Sequence, residues 1–275
     1  MKKLSKKKYW DSVHSECNNL PSHPKGSKLK ELIESIIPNA PWGQNLGERQ
    51  KLVIYDRYLP IDKNLRVIEI GCAPGGQLLS YHKRYGYEPW GIEYSHSGVI
   101  KTQEAFEAVG LNAKHIIEAD FFAKEIIDKY SEAFDVVTSH GFIEHFDDTA
   151  EVIRRHVKLL RPGGFLLVSI PNLRWFNYFR VWMTYPEKLA MHNLAIMKLS
   201  EFRRLFQHQD FNLKELFVGY YGTFTLRPLF PKWLPDCDGA VDKIVWLIVG
   251  DRGFEPRRDC RRLQLLRGWS YDKEN

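Results

Sequence analysis

The sequence has few cysteines, and they are too far apart to form a recognisable site. Cys17, Cys72, Cys237 and Cys260 include no Cys-x-x-Cys pair and no histidine partner at zinc-finger spacing. This pattern disfavours both a disulfide framework and a structural zinc site. Thiols without partners are compatible with a reducing compartment, so we expect a cytoplasmic protein.

Long apolar runs are also missing, and the positive charge is unevenly distributed. The longest apolar run near the end, Ile244 to Val249, has six residues, and a polar stretch follows the lysine-rich start. Neither a signal peptide nor a membrane span is therefore expected. The net charge of +6 includes five lysines within residues 2–8. The rest of the chain is nearly neutral, which makes a nucleic-acid partner unlikely and predicts a solvated lysine tail.

The 275 residues divide by composition into three parts. Residues 1–44 are polar and rich in proline and glycine, and we interpret them as an arm, with Tyr9 and Trp10 as a lid. Residues 45–250 form the main domain, with an aromatic-rich capping insertion at about 172–199. Residues 251–275 form a tail to which we assign no function.

Strand and helix patterns alternate through the main domain. Val/Ile/Phe-rich segments predict strands, and the segments between them have helical periodicity. This alternation predicts an α/β, Rossmann-like, doubly wound and mostly parallel sheet. The seven predicted strands are 65–70, 87–93, 113–117, 134–139, 164–170, 213–220 and 243–249.

A tight turn of small residues follows the first predicted strand. It reads Gly71-Cys72-Ala73-Pro74-Gly75-Gly76, and Glu93 ends the next apolar run 22 positions after Gly71. This is the layout of a nucleotide-type site at the carboxyl end of a parallel sheet. Ala73-Pro74 departs from the dinucleotide pattern, and Glu69 would repel a pyrophosphate. NAD and FAD are therefore disfavoured.

Five motifs in order resemble those of the class I S-adenosylmethionine-dependent methyltransferases. They begin with acid-x-Gly-x-Gly-x-Gly, here with Ala73 as the middle residue, and the resemblance is firm over residues 45–171. The fold implied is a seven-stranded sheet, and the cofactor implied is S-adenosylmethionine. The motifs are Glu69 to Gly75, Gly91 to Ser95, Glu118 to Phe121, Phe134 to Phe146 and Leu160 to Phe165.

The resemblance implies a role for each cofactor-binding candidate. Glu93, with Tyr94 and Ser95 beside it, would take the ribose hydroxyls, because a carboxylate matches two adjacent donors. Asp120 would accept from the adenine amino group, with Phe121 against the ring. The other candidates would surround the methionyl part: Glu69 at its ammonium, the backbone of Gly71, Cys72 and Gly76, and Ser139 with His140 near the methyl group.

Three histidines are candidates for catalysis. His145 lies in a Glu-His pair resembling that of ubiquinone-type O-methyltransferases and is the first candidate for a base or substrate contact. His140 and His192 are the others. His145 could instead orient the loop or contact the cofactor, His140 could be a cofactor neighbour, and His192 could be a surface or cap-stabilising residue. Some relatives bind a divalent ion through Glu-x-x-Glu-His, but Gly141 replaces the first glutamate. We therefore expect no metal site.

The leading hypothesis is methyl transfer to a small molecule or sugar, at oxygen. An N-methyltransferase or RNA methyltransferase on the same fold is an alternative, although the Pro-Pro-aromatic motif of amino-directed nucleic-acid enzymes is missing after the fourth strand. A noncatalytic S-adenosylmethionine-binding scaffold and a dehydrogenase also stay open. The acceptor and the oligomeric state do not follow from the sequence.

Overall fold

A computed structural model describes residues 2–16, 46–207, 211, 213–221 and 243–250. Its helices are α1 (Lys7–Glu16), α2 (Leu46–Tyr58), α3 (Gly76–Tyr85), α4 (His96–Glu107), α5 (Lys124–Tyr130), α6 (Thr149–Leu159), α7 (Phe176–Thr184), α8 (Pro186–Ala190) and α9 (Leu199–Phe206). Its strands are β1 (Arg66–Ile70), β2 (Glu88–Glu93), β3 (Ile116–Glu118), β4 (Phe134–His140), β5 (Leu160–Pro171), β6 (Leu213–Tyr221) and β7 (Lys243–Gly250).

The strands form one sheet in the order β3-β2-β1-β4-β5-β7-β6. The first five strands are parallel, whereas β7 runs antiparallel to both β5 and β6. The predicted Rossmann-like α/β fold with a parallel sheet is therefore confirmed. The strand order reverses between β1 and β4, and this switch point is where open α/β sheets bind ligands.

Helices cover both faces of the sheet. Successive side chains of each strand point to opposite faces, so each strand contributes apolar residues to both layers. On β1, Ile68 packs with the cluster of α5, α6 and α9, whereas Val67 packs with the cluster of α2, α3 and α4. Both residues are fully buried. The continuous apolar character of the strands thus reflects a sheet buried on both sides.

Three local predictions are wrong. The strand predicted at 113–117 begins only at Ile116, because Ala113–His115 forms a 3₁₀ turn in which the Asn112 side chain accepts from the Lys114 amide. A helix was expected from Phe121, but α5 begins at Lys124 because the Asp120 carboxylate accepts from the Phe122 amide at 3.0 Å and forms a turn. Ser200 was expected to cap a helix, yet it lies inside α9, whose first turn closes with a bond from the Phe202 amide to the Lys198 carbonyl.

The insertion after β5 contains α7, α8 and a 3₁₀ turn at Leu194–Met197. The helical pattern predicted around Leu29 to Ile37, like the tail 251–275, lies outside the described residues. Among the helices that are described, none has the length and apolarity needed to cross a membrane.

Candidate functional site

A pocket lies at the switch point between β1 and β4, which we call the switch-point pocket. Gly71 forms its floor with a φ of +72°, and a Cβ there would lie 3.0 Å from the Phe142 ring. Only glycine satisfies both the left-handed backbone and the close approach. The small residue predicted at this turn is therefore required by the local geometry.

Six of the predicted cofactor-binding residues line the switch-point pocket, namely Gly71, Glu93, Tyr94, Asp120, Phe121 and His140. The other five do not line it. Glu69, Cys72 and Ser139 are buried, Gly76 is the first residue of α3, and Ser95 is the N-cap of α4. The structure thus brings Glu93, Asp120 and the aromatic candidates together, whereas Glu69 and the other four lie outside the pocket wall.

Glu93 ends β2 and is 4% exposed. One carboxylate oxygen, Oε1, accepts from the backbone amides of Tyr94 at 2.9 Å and Ser95 at 2.8 Å. Burial raises the pKa of Glu93, and its backbone hydrogen bonds oppose that rise. The second oxygen, Oε2, is 3.4 Å from the Ala73 amide. The carboxylate therefore joins the glycine-rich turn to the end of β2.

The N-terminal segment is docked rather than solvated, which corrects the predicted lysine tail. Lys3 forms a β-bridge with Phe146, and the Leu4 amide donates to the His145 carbonyl at 2.8 Å. The Lys3 ammonium lies 2.5 Å from Asp120 Oδ2. Both Lys3 and Trp10 line the switch-point pocket. Composition could not reveal this docking, because it depends on a strand partner 143 residues away.

A second cavity of about 320 Å³ lies beside the first, under the insertion after β5, and we call it the cap-side cavity. Trp10 and His145 line both the switch-point pocket and this cavity. Its wall combines aromatic, aliphatic and cationic side chains: Tyr9, Trp10, His145, Leu173, Arg180, Val181, Tyr185, Lys188 and His192. Its volume lies at the lower end of the range for small-molecule sites.

His145 and His192 pack against each other in the wall of this cavity, with ring centroids 4.5 Å apart. The backbone amide of Asn193 donates to the Glu144 carbonyl at 2.6 Å. This bond joins the insertion, which carries His192, to the turn after β4, which carries His145. Burial and the neighbouring His192 lower the pKa of His145 to about 4. Burial also lowers the pKa of His192. Both imidazoles are therefore neutral near pH 7.

His140 is held differently from the other two histidines. Its Nδ1 is 2.6 Å from Ser169 Oγ, and its Nε2 is 3.2 Å from Tyr81 Oη and 3.1 Å from Thr138 Oγ1. Both ring nitrogens are thus engaged in hydrogen bonds. This arrangement orients the ring at the wall of the switch-point pocket and leaves neither nitrogen free for proton transfer.

Sequence reasoning missed three charged residues that line these two cavities: Lys3, Arg180 and Lys188. Glu144, the acidic member of the Glu-His pair, is 1% exposed and lies beside His145. Arg180 and Lys188 were not singled out, because the sequence around them is dominated by aromatic residues. The insertion's aromatics were expected to roof a site, and Tyr185 does line the cap-side cavity, whereas Trp175 is 81% exposed.

Comparisons with known proteins agree with this geometry. Residues 47–216 match the family model described as a methyltransferase domain. The ubiquinone biosynthesis O-methyltransferase of Glaesserella parasuis is 28% identical over 164 residues, covering 57% of this chain and 68% of that enzyme. That of Azorhizobium caulinodans is 29% identical over 110 residues, covering 40% of this chain and only 42% of the relative's length.

A solved structure shares the fold. Geranyl diphosphate C-methyltransferase from Streptomyces coelicolor, in complex with Mg²⁺, geranyl diphosphate and S-adenosyl-L-homocysteine, aligns with a TM-score of 0.57 at 13% identity. The alignment covers 88% of this chain and 98% of that one. With the family model matching more than half of the chain, this protein belongs to the methyltransferase-domain family, with the fold of the class I S-adenosylmethionine-dependent methyltransferases.

Proposed function

We propose that this protein transfers the methyl group of S-adenosylmethionine to an oxygen of a small molecule, either a phenolic or a sugar hydroxyl. The observation that carries the proposal is the pair of adjoining cavities that share Trp10 and His145. Methyl transfer is an in-line displacement, so the enzyme mainly has to align acceptor oxygen, methyl carbon and sulfur away from water. Two adjoining cavities suit that alignment.

The switch-point pocket would hold the cofactor. Glu93 would bind the ribose hydroxyls, Asp120 the adenine amino group, and Phe121 the face of the ring. Phe121 is 3% exposed and packs edge-on against Phe142 at 5.7 Å, so its position is fixed before ligand binds. His140, with both nitrogens hydrogen-bonded, would position the methionyl end.

The cap-side cavity would hold the acceptor. Trp10, Leu173 and Val181 offer an apolar surface for a ring, while Arg180 and Lys188 supply positive charge at the same cavity. His145 and His192 present neutral imidazoles toward the acceptor hydroxyl. The named activity of the two relatives, O-methylation in ubiquinone biosynthesis, supports an oxygen acceptor.

We also propose a domain organisation for the chain and a cellular location for the protein. Residues 1–44 form a lid-bearing arm, residues 45–250 the methyltransferase domain, and residues 251–275 a tail. The contacts of Trp10 with both cavities support the lid. The proposed location is the cytoplasm, for which the support is the scattered cysteine pattern of the sequence.

A direct test uses methyl-labelled S-adenosylmethionine with panels of catechols, other phenols, sugars and nucleotide sugars, primary amines and RNA. Transfer to a hydroxyl compound, identified by mass spectrometry, is the expected result. Label found only on amines or RNA would replace the oxygen acceptor by one of those classes. Tight cofactor binding without transfer to any panel member would favour a noncatalytic scaffold, and preferential binding of NAD would favour a dehydrogenase.

Lys3→Ala is expected to tighten S-adenosylmethionine binding by up to about fivefold. Lys3 occupies the Asp120 carboxylate that we assign to adenine, and an ion pair this exposed contributes at most about 1 kcal/mol. The switch-point pocket measures only about 130 Å³ with Lys3 and Trp10 lining it, so this segment has to shift when cofactor enters. Isothermal titration calorimetry measures the change, with exposed Lys6→Ala as the matched control. Weaker binding by Lys3→Ala would show that Lys3 supports the cofactor instead.

A further inference from the structure

The wall of the cap-side cavity carries charge of one sign. Arg180 of α7 and Lys188 of α8 line it, and of the described side chains in that wall none is a carboxylate. Because the pKa values of His145 and His192 are lowered, both imidazoles add no charge near pH 7. A cleft lined by charge of one sign concentrates ligands of the opposite sign. The cavity therefore favours an anion.

Two acids near the cavity do not cancel this charge. A carboxylate oxygen of Glu144 lies within 4.8 Å of a ring nitrogen of His145 and of His192. Burial raises the pKa of Glu144 to about 8, so this group is mostly protonated near pH 7. Glu187 is exposed and does not line the cavity, although it adds to the rise that burial causes in the pKa of Tyr9. The positive charge in the wall thus persists at neutral pH.

Lys188 is held at the His192 end of the cavity. Its Nζ lies 4.9 Å from the centroid of the Tyr185 ring, which lines the same wall. The Lys188 carbonyl accepts from His192 Nδ1 at 2.6 Å. Burial lowers the pKa of His192, and the Lys188 ammonium adds to this lowering. The ammonium and the imidazole therefore act on the same region of the cavity.

Arg180 provides the second cation from a less exposed position. The residue is half-buried, and its Nε atom is inaccessible to solvent. A guanidinium partly withdrawn from water interacts more strongly with an anion than an exposed one does. Its planar set of donors also matches two oxygens of one carboxylate or phosphate. Arg180 is therefore suited to recognise such a group, with Lys188 adding charge.

We propose that the methyl acceptor carries an anionic oxygen group, a carboxylate or a phosphate, which Arg180 and Lys188 bind while the acceptor hydroxyl lies beside His145. This substrate class rests on the proposed function of the cap-side cavity. Trp10 and His145 line both cavities, whereas Arg180 and Lys188 line only the cap-side cavity. An anion bound by these two cations directs the hydroxyl toward the cofactor, and orientation of this kind is a major part of catalysis.

The test compares matched probes by calorimetry on the full chain saturated with S-adenosylhomocysteine. One series is catechol bearing a carboxylate, a hydroxymethyl or an aminomethyl group at the same ring position. In two others, hydroquinone is compared with its monophosphate, and glucose with its phosphate monoester at the primary hydroxyl. We expect the anionic member of at least one series to bind at least about tenfold more tightly than its neutral counterpart. The series that shows the preference distinguishes carboxylate from phosphate.

Three variants identify the residues responsible. Arg180→Met should reduce the anion preference to less than about threefold. Lys188→Met, at an exposed site, should reduce it by up to about fivefold. Lys188→Glu should bind the aminomethyl catechol better than the carboxylate, a reversal that lost packing would not produce. The control Lys198→Met removes an exposed lysine of the same insertion that does not line the cavity, and it should keep the wild-type preference.

Two results would overturn the anion site: equal binding of anionic and neutral probes by the wild type in every series, or a wild-type preference retained by both Arg180→Met and Lys188→Glu. An unchanged affinity for S-adenosylhomocysteine checks that each variant is folded. Because binding is measured without methyl transfer, failure of the proposed function is a separate result. A chain that prefers anions but methylates no panel member keeps the anion site and loses the proposed function.

Discussion

Glu93→Ala is expected to lower the affinity for S-adenosylmethionine by about 100-fold or more. Hydrogen bonds to a charged group each contribute about 1.5–3 kcal/mol, and a ribose diol would make two of them with this carboxylate. A loss of 1.4 kcal/mol corresponds to about tenfold in affinity. The same carboxylate accepts from the Tyr94 and Ser95 amides, so its removal also loosens the turn at the pocket wall. Isothermal titration calorimetry on the purified chain measures the effect.

Two further variants separate recognition from local structure. Glu93→Gln keeps the size of the side chain and one acceptor oxygen. Its affinity for S-adenosylmethionine should lie between those of the wild type and Glu93→Ala, about tenfold weaker than the wild type. Glu88→Ala removes an exposed acid from the start of the same strand, where it lies 3.6 Å from His115, and should bind cofactor normally. Calorimetric binding by Glu93→Ala equal to that of the wild type would refute the assignment of this pocket to the cofactor.

The parallel part of the sheet was predictable because each strand has a local signal. Strands buried on both faces are mostly apolar, and β1 and β4 each contain adjacent Val and Ile residues that give this signal, Val67-Ile68 and Val136-Val137. Gly71 and Glu93 were predictable for a related reason. A left-handed turn against Phe142 requires glycine, and a carboxylate at the end of β2 has a chemical role that few residue types fill.

The ends of elements were less predictable, because they depend on single hydrogen bonds. The Asp120 turn delays α5 by three residues relative to its apolar pattern, and it places Phe121 at the pocket instead of in the helix. Periodicity reports which residues face the core, and Phe121 satisfies it equally well in either conformation.

Contacts between distant segments could not be predicted from the sequence. His192 lies 47 residues beyond His145, and the bond from the Asn193 amide to the Glu144 carbonyl that brings them together has no sequence signature. Lys3 resembles a solvated tail until its strand partner Phe146 is known. For that reason the cofactor side of the site was anticipated in outline, whereas the contact between His145 and His192 was not.

His145→Ala is expected to lower kcat for the true acceptor by about 100-fold or more at saturating S-adenosylmethionine. This side chain lies where the two cavities meet, 5.1 Å from the Trp10 ring and 4.5 Å from the His192 ring, measured between centroids. Loss of a group that deprotonates or hydrogen-bonds the acceptor hydroxyl in the transition state typically costs about 10²–10⁴-fold. Because Glu93 and Asp120 are untouched, the cofactor affinity should change by less than about fivefold.

A matched control is available in His156, a second buried histidine whose pKa burial also lowers to about 4. It lines neither cavity, and its Nδ1 donates to the Val152 carbonyl at 2.8 Å within α6. His156→Ala should therefore lower the melting temperature through lost packing, at a cost of about 2–4 kcal/mol, and leave kcat within about threefold. If His145→Ala instead lost stability but kept its kcat, the histidine would be a packing residue, and activation of the acceptor would have to come from elsewhere in the cap-side cavity.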